Sequence, residues 1–200
     1  MKNVSIIIFL LCILLAAHSS LFAQKQAVKL GEPVLLTSCG QSPGPLKIKV
    51  FFSRLKIDHD YNAQARVGDL AAKQNQGKPY KSIIIVTGAS LKGMGAAQVS
   101  IDDEIKRIKE IITEAKKQGI KVVGAHVEGM ERRAQGAAPG DNSDELSIDA
   151  VCPFSDLLIV RSDGDEDKRF TAISTGKKIP VVTFEKNMDL SDVLKELYQK

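Results

Sequence analysis

The stretch SIIIVTGASLKGMGAAQVSIDDEIKRIKEIITEAKKQGIKVVGAHV, Ser82–Val127, decides the fold. It opens on the apolar run SIIIVTG (82–88) and closes on a second, KVVGAHV (121–127). Both runs are continuous rather than alternating, the pattern of strands buried on both faces. Between them Ile101, Ile105, Ile108, Ile112 and Ala115 recur at helical spacing. Ser100 with Asp103 predicts a capping box at the helix start, and Gly119 predicts its stop. A strand, a long helix and a second strand make a parallel pair with a right-handed crossover.

The same alternation extends in both directions. PVLLTS (33–38), DLLIV (156–160) and IPVVTF (179–184) read as further buried strands. Ile48, Phe51, Phe52 and Leu55 mark one face of a helix, and weaker helices fit 143–152, 166–175 and 190–199. Gly176 ends the second of these, and Asp189 or Ser191 caps the third. The expectation is a three-layer, doubly wound α/β domain with a mostly parallel five-stranded sheet and helices on both faces. The flavodoxin-like strand order 2-1-3-4-5 comes first and a Rossmann-like order second. The polar segment 58–80 is too long for a plain connection and is expected to hold a short helix or a lid.

Residues 1–23 read as a secretory signal peptide. Lys2 supplies the positive start, Val4–Ala17 the apolar stretch, and cleavage after Ser19 or Ala23 fits. Leu11 before Cys12 argues against a lipid anchor. Residues 24–200 then form a single domain, expected to be secreted or periplasmic and without a membrane anchor after cleavage. The net charge of +4 is spread without a basic run, and aromatics are few, which excludes nucleic acid as a partner. Cys39 ends the first strand and Cys152 precedes the fourth, at opposite edges of the sheet, so two free, buried thiols are expected.

Ligands of such sheets bind outside the carboxyl ends of the strands. Four loops lie there: SCGQSPGP (38–45), GASLKGMGAAQ (88–98), EGMERRAQGAAPGDNSDE (128–145) and RSDGDED (161–167). All are rich in glycine or in small and charged residues. GASLKGMG is not a P-loop, because Met94 and Gly95 stand where lysine and a hydroxyl residue are required. GMGAAQ lacks the third glycine of a dinucleotide fingerprint. What remains is a flexible connection with an exposed lysine or an anion site, and the anion site is the leading reading. Backbone amides of Gly40, Gln41, Ser42, Gly93 and Gly95, the Ser90 hydroxyl and the Lys92 ammonium are its candidate contacts, with Glu128, Arg132 and Arg133 across the edge. His126 is the candidate general base, and Ser42 or Cys39 the candidate nucleophile. No metal site is expected; Asp163 and Asp165 are weak candidates, since their spacing opens like a calcium loop that is not completed. No cofactor is assigned.

Taken together, SCGQSPGPLKIKV, GASLKGMGAA, HVEGMERR followed by SDELSI, and DLLIVRSDGDEDKRFTAIS resemble a family of exported bacterial domains of unknown function, Rossmann-like and secreted. The resemblance spans nearly all of residues 24–200 and implies the fold and the four loops, but no reaction. Gln98 and Glu128 stand where such relatives carry glycine. If both face the ligand, this member binds something different.

Three readings of function follow. The first is a binding protein for a small anionic metabolite, a carboxylate or phosphate, at the carboxyl edge. The second is a hydrolase or lyase built on His126 with Ser42 or Cys39. The third is an interaction module for a membrane-protein partner, which requires an exposed apolar patch.

Overall fold

The computed structural model describes residues 28–133 and 140–200. The signal-peptide reading of 1–23, both cleavage points and part of the loop 128–145 lie outside them. The described chain runs β1 (Val34–Cys39), α1 (Gly44–Leu55), β2 (His59–Tyr61), α2 (Val67–Asn75), β3 (Ser82–Thr87), α3 (Leu91–Ala97), α4 (Ile101–Lys117), β4 (Lys121–His126), α5 (Ser143–Val151), β5 (Leu157–Arg161), α6 (Arg169–Lys177), β6 (Val181–Phe184) and α7 (Asp189–Tyr198). Short 3-10 turns fill Gly129–Arg132, Cys152–Phe154 and Ser162–Asp165.

The sheet has six parallel strands in the order β2-β1-β3-β4-β5-β6. The fold class is the expected α/β one, with a sixth strand added. His59–Tyr61 lies inside the uncertain segment 58–80 and pairs with Val34–Leu36 at the sheet edge. Its sequence, HDY, carries no apolar run because an edge strand is only half covered. The five apolar runs lie side by side in chain order, and β2 falls beyond β1. The order therefore reverses between β1 and β3, and the connections leaving these two strands go to opposite faces.

Alternate residues of each strand feed the two layers. Val34 and Leu36, Ile84 and Val86, and Val123 and Ala125 pack against α1 and α7. Leu35, Ile83, Ile85 and Val122 pack against α2, α4 and α5. A smaller cluster joins Ile148 of α5 and Phe170 of α6 to Leu158 and Val160.

Helix α4 starts as expected. Ser100 Oγ accepts from the Asp103 N–H at 3.1 Å, and Asp103 Oδ2 accepts from the Ser100 N–H at 2.9 Å. Acids crowd its first turn and Lys116 and Lys117 its last, complementing the helix dipole. Its buried face is rotated from the expected stripe, however. Ile101 and Ile105 are only half-buried, while Glu104 and Arg107 are buried in line with Ile108, Ile111 and Ala115.

Both described cysteines are free and buried. Burial, and secondarily the Cys39 thiol, pushes the Cys152 thiol far up.

Candidate functional site

At the reversal point the loops after β1 and β3 lean on each other. Gln41 and Ala89 form an isolated antiparallel bridge, and the Ser90 N–H donates to Gly40 O at 2.7 Å. Gly40 and Gly88 have φ of 102° and 125°, which only glycine adopts at low cost. A Cβ at Gly93 would collide with the Gln41 carbonyl, so this glycine serves the close approach of α3 to the first loop.

Three amides of these loops, those of Gly40, Gly44 and Ala89, face anions, and the anions belong to the chain itself. Glu104 Oε2 accepts from the Gly40 N–H and from Gln41 Nε2, both at 2.9 Å. Glu128 Oε2 accepts from the Gly44 N–H at 3.1 Å, at the start of α1. Asp144 Oδ1 accepts from the Ala89 N–H at 2.5 Å, and Ser147 Oγ from the Gly88 N–H at 2.9 Å. Burial, despite the Ala89 N–H and Arg132, holds the Asp144 carboxyl above the usual range.

Glu104 tolerates burial because Arg107 pairs with it. Arg107 Nε and Nη2 reach the two carboxylate oxygens at 2.9 and 2.8 Å. The other guanidinium hydrogens go to Ser38 O at 2.6 Å and Ala65 O at 2.8 Å. The pair is shielded from water, bidentate and fully hydrogen-bonded.

Several sequence candidates are therefore engaged in holding the fold. His126 is fully buried: Nε2 lies 2.9 Å from Gly129 O, Nδ1 lies 3.1 Å from Thr87 Oγ1, and Phe170 stacks on the ring. A carbonyl only accepts, so Nε2 carries the proton. Burial lowers the imidazole to about 4, and the ring faces no open space from which to act as a base. Cys39 points into the core, and burial, then Glu104, pushes its thiol up to about 12. This is the reverse of the activation expected at a helix start, because the side chain lies below the loop rather than in it. Ser42 is buried, and its Oγ accepts from the Gly44 N–H at 3.3 Å. The hydrolase or lyase reading thus loses its base and one of its two nucleophiles.

Arg133 is no anion clamp either. It donates to Glu145 at 2.8 Å, to Asp167 at 2.5 Å and to Gly164 O, and lies over Phe170. Arg132 lies on Gly88 and donates to Ala89 O at 3.2 Å, with Glu128 3.4 Å from its Nε. Asp163 binds Arg161 through both oxygens, at 2.6 and 2.5 Å. Asp165 caps α6 through the Phe170 N–H at 2.7 Å and Thr171 Oγ1 at 2.5 Å. Among the described residues no group of three or more His, Cys, Asp or Glu is arranged to hold a metal ion.

Open space does exist beside the reversal point, on the α4 side. A recess of about 380 Å³ has the Glu104–Arg107 pair in its lining, together with Arg66 at the start of α2. Gln98 and Val99, which link α3 to α4, and Asp103, Lys106 and Glu110 along α4 complete it. Lys92 and Gly95 are exposed on α3 and do not line it, and Ser90 Oγ caps α3 by accepting from the Gly93 N–H. Gln98 sits at φ 56°, a left-handed cap position of α3 that glycine adopts at lower cost. Glu128 has an ordinary φ of −101° and points inward, so it does not face a ligand. Arg66, Lys106 and Glu110 carried no motif. The one available signal was Glu104 and Arg107 intruding into the apolar stripe of α4.

The model of the family described as "Domain of unknown function (DUF6305)" matches residues 31–198. The chain belongs to the DUF6305 family. The match takes in every described strand and helix of this DUF6305 domain. No curated protein matches it. Among solved structures, a GDP-L-fucose synthetase from Naegleria fowleri bound to NADP aligns at 13% identity and a TM-score of 0.39, covering 80% of this chain. The DUF6305 chain spans only 52% of that synthetase. The YdjI aldolase from Escherichia coli K12 aligns at 14% identity and a TM-score of 0.19, covering 82% of this chain and 86% of the aldolase. Neither likeness is close enough to inform function.

Two outcomes follow from the buried groups. Glu104→Gln leaves Arg107 buried without its counter-charge, and urea unfolding should show a loss of about 3–5 kcal/mol. For His126 the unfolded imidazole takes up its proton below about 6.5, while the folded one resists until about 4. Stability is therefore full above pH 6.5 and falls as pH drops toward 4, by roughly 3 kcal/mol. Urea midpoints measured between pH 7 and 4.5 should show this slope in the wild type and lose it in His126→Gln.

Proposed function

We propose that this domain is a binding protein rather than a catalyst, and that it takes a small anion, a carboxylate or phosphate, in the recess beside β1 and β3. One observation carries the reading. Arg66 and Lys106 are exposed on the recess and form no ion pair with a described residue, while the buried Glu104–Arg107 charges cancel. The volume, about 380 Å³, suits a metabolite. Support also comes from position: the recess lies at the carboxyl edge, where the starts of α2 and α4 converge. The loop amides, having internal carboxylates as acceptors, play a supporting role only. The same reading places the domain outside the cytoplasm, on the strength of residues 1–23, with the small molecule as its partner.

The docking reading ranks second. It rests on Leu46 and Val50, about half exposed and one turn apart on α1 beside Lys49 and Arg54.

Isothermal titration with inorganic phosphate and with acetate tests the proposal. Arg66→Ala and Lys106→Ala should each weaken binding by about tenfold, the scale of one charge-assisted hydrogen bond, without lowering the melting temperature of the free protein. Lys92→Ala should leave affinity unchanged. Loss of binding in Lys92→Ala alone would move the site back to the β3 loop and refute the recess.

A further inference from the structure

The charges of the recess specify more than an anion, on the footing of the binding reading above. Of its three lining carboxylates, two are engaged. Asp103 accepts from the Ser100 N–H and hydroxyl, and Glu104 holds Arg107, Gly40 and Gln41. Glu110 is exposed and forms no ion pair with a described residue. It follows Lys106 by one helical turn, about 6 Å along α4. Lysine before glutamate is the weaker order for an i,i+4 pair, so the two side chains gain little from each other. The recess therefore presents two cations outside any ion pair, Arg66 and Lys106, and two such carboxylates, Asp103, which Ser100 caps, and Glu110. A simple monoanion seated between the cations would be repelled by Glu110. A ligand that also carries a positive charge next to its carboxylate turns that repulsion into attraction.

We propose that the ligand is a free α-amino acid, its carboxylate held by Arg66 and Lys106 and its ammonium by Glu110. Gln98 lines the same recess, and its carboxamide, which both donates and accepts, suits either end of such a zwitterion.

The test compares amino acids with their deaminated counterparts by titration calorimetry on the intact protein: alanine against propionate, leucine against 4-methylpentanoate, glutamate against glutarate. At least one amino acid should bind about tenfold more tightly than its partner acid. Glu110→Gln should abolish that preference while leaving the partner acid bound as well as before or better. Arg66→Ala should weaken both. Equal binding of every amino acid and its partner acid, still dependent on Arg66, would overturn the zwitterion and leave the anion reading standing. Absence of binding by amino acids, partner acids and inorganic phosphate alike would overturn both.

Discussion

Glu104 and Arg107 form the interaction on which the carboxyl edge depends. The pair joins α4 to the end of β1, since Arg107 takes the Ser38 carbonyl and Glu104 the Gly40 amide. It also reaches the second edge of the reversal point through Ala65, which leads into α2. Two full charges are out of water here, which is affordable only because every polar atom has a partner. The loop after β1 is thereby held in one shape, with Gln41 at a φ of 57° and bridged to Ala89.

With that loop fixed, the rest of the edge follows. Glu128 answers the N-terminus of α1, and Asp144 with Ser147 answers the β3 loop. A glycine-rich edge that looks cleared for a phosphate is instead closed by the chain's own acids. Small side chains in GASLKGMG let two loops and a helix approach each other, and Gly93 against Gln41 is the tightest point. On the proposed binding function, recognition moves sideways, to the recess between α2 and α4, where Arg66, Lys106 and Glu110 lie outside any ion pair with a described residue.

The strands were legible because they are buried on both faces, which leaves continuous apolar runs. β2 was not, because HDY is a half-covered edge strand without an apolar signature. The capping box of α4 was legible from Ser100 and Asp103 alone, being local. The phase of the same helix departs from the expected stripe because its buried face takes in the Glu104–Arg107 pair. Topology points to the carboxyl edge, but the groups that occupy its loops come from far along the chain. Glu104 lies 64 residues from Gly40, and Glu128 84 residues from Gly44. The burial of His126 at the end of β4 has a similar cause, being completed by Phe170 from α6.

The account's central claim is that the amides of Gly40, Gly44, Gly88 and Ala89 are internally satisfied and that ligands meet the recess instead. Backbone amide chemical shifts followed by NMR during titration with inorganic phosphate test it most directly. The account predicts shifts at Arg66, Gln98 and Lys106, with the Gly40, Gly44 and Gly88 amides unmoved. Large shifts at those three glycines, with Arg66 and Lys106 unmoved, would contradict it.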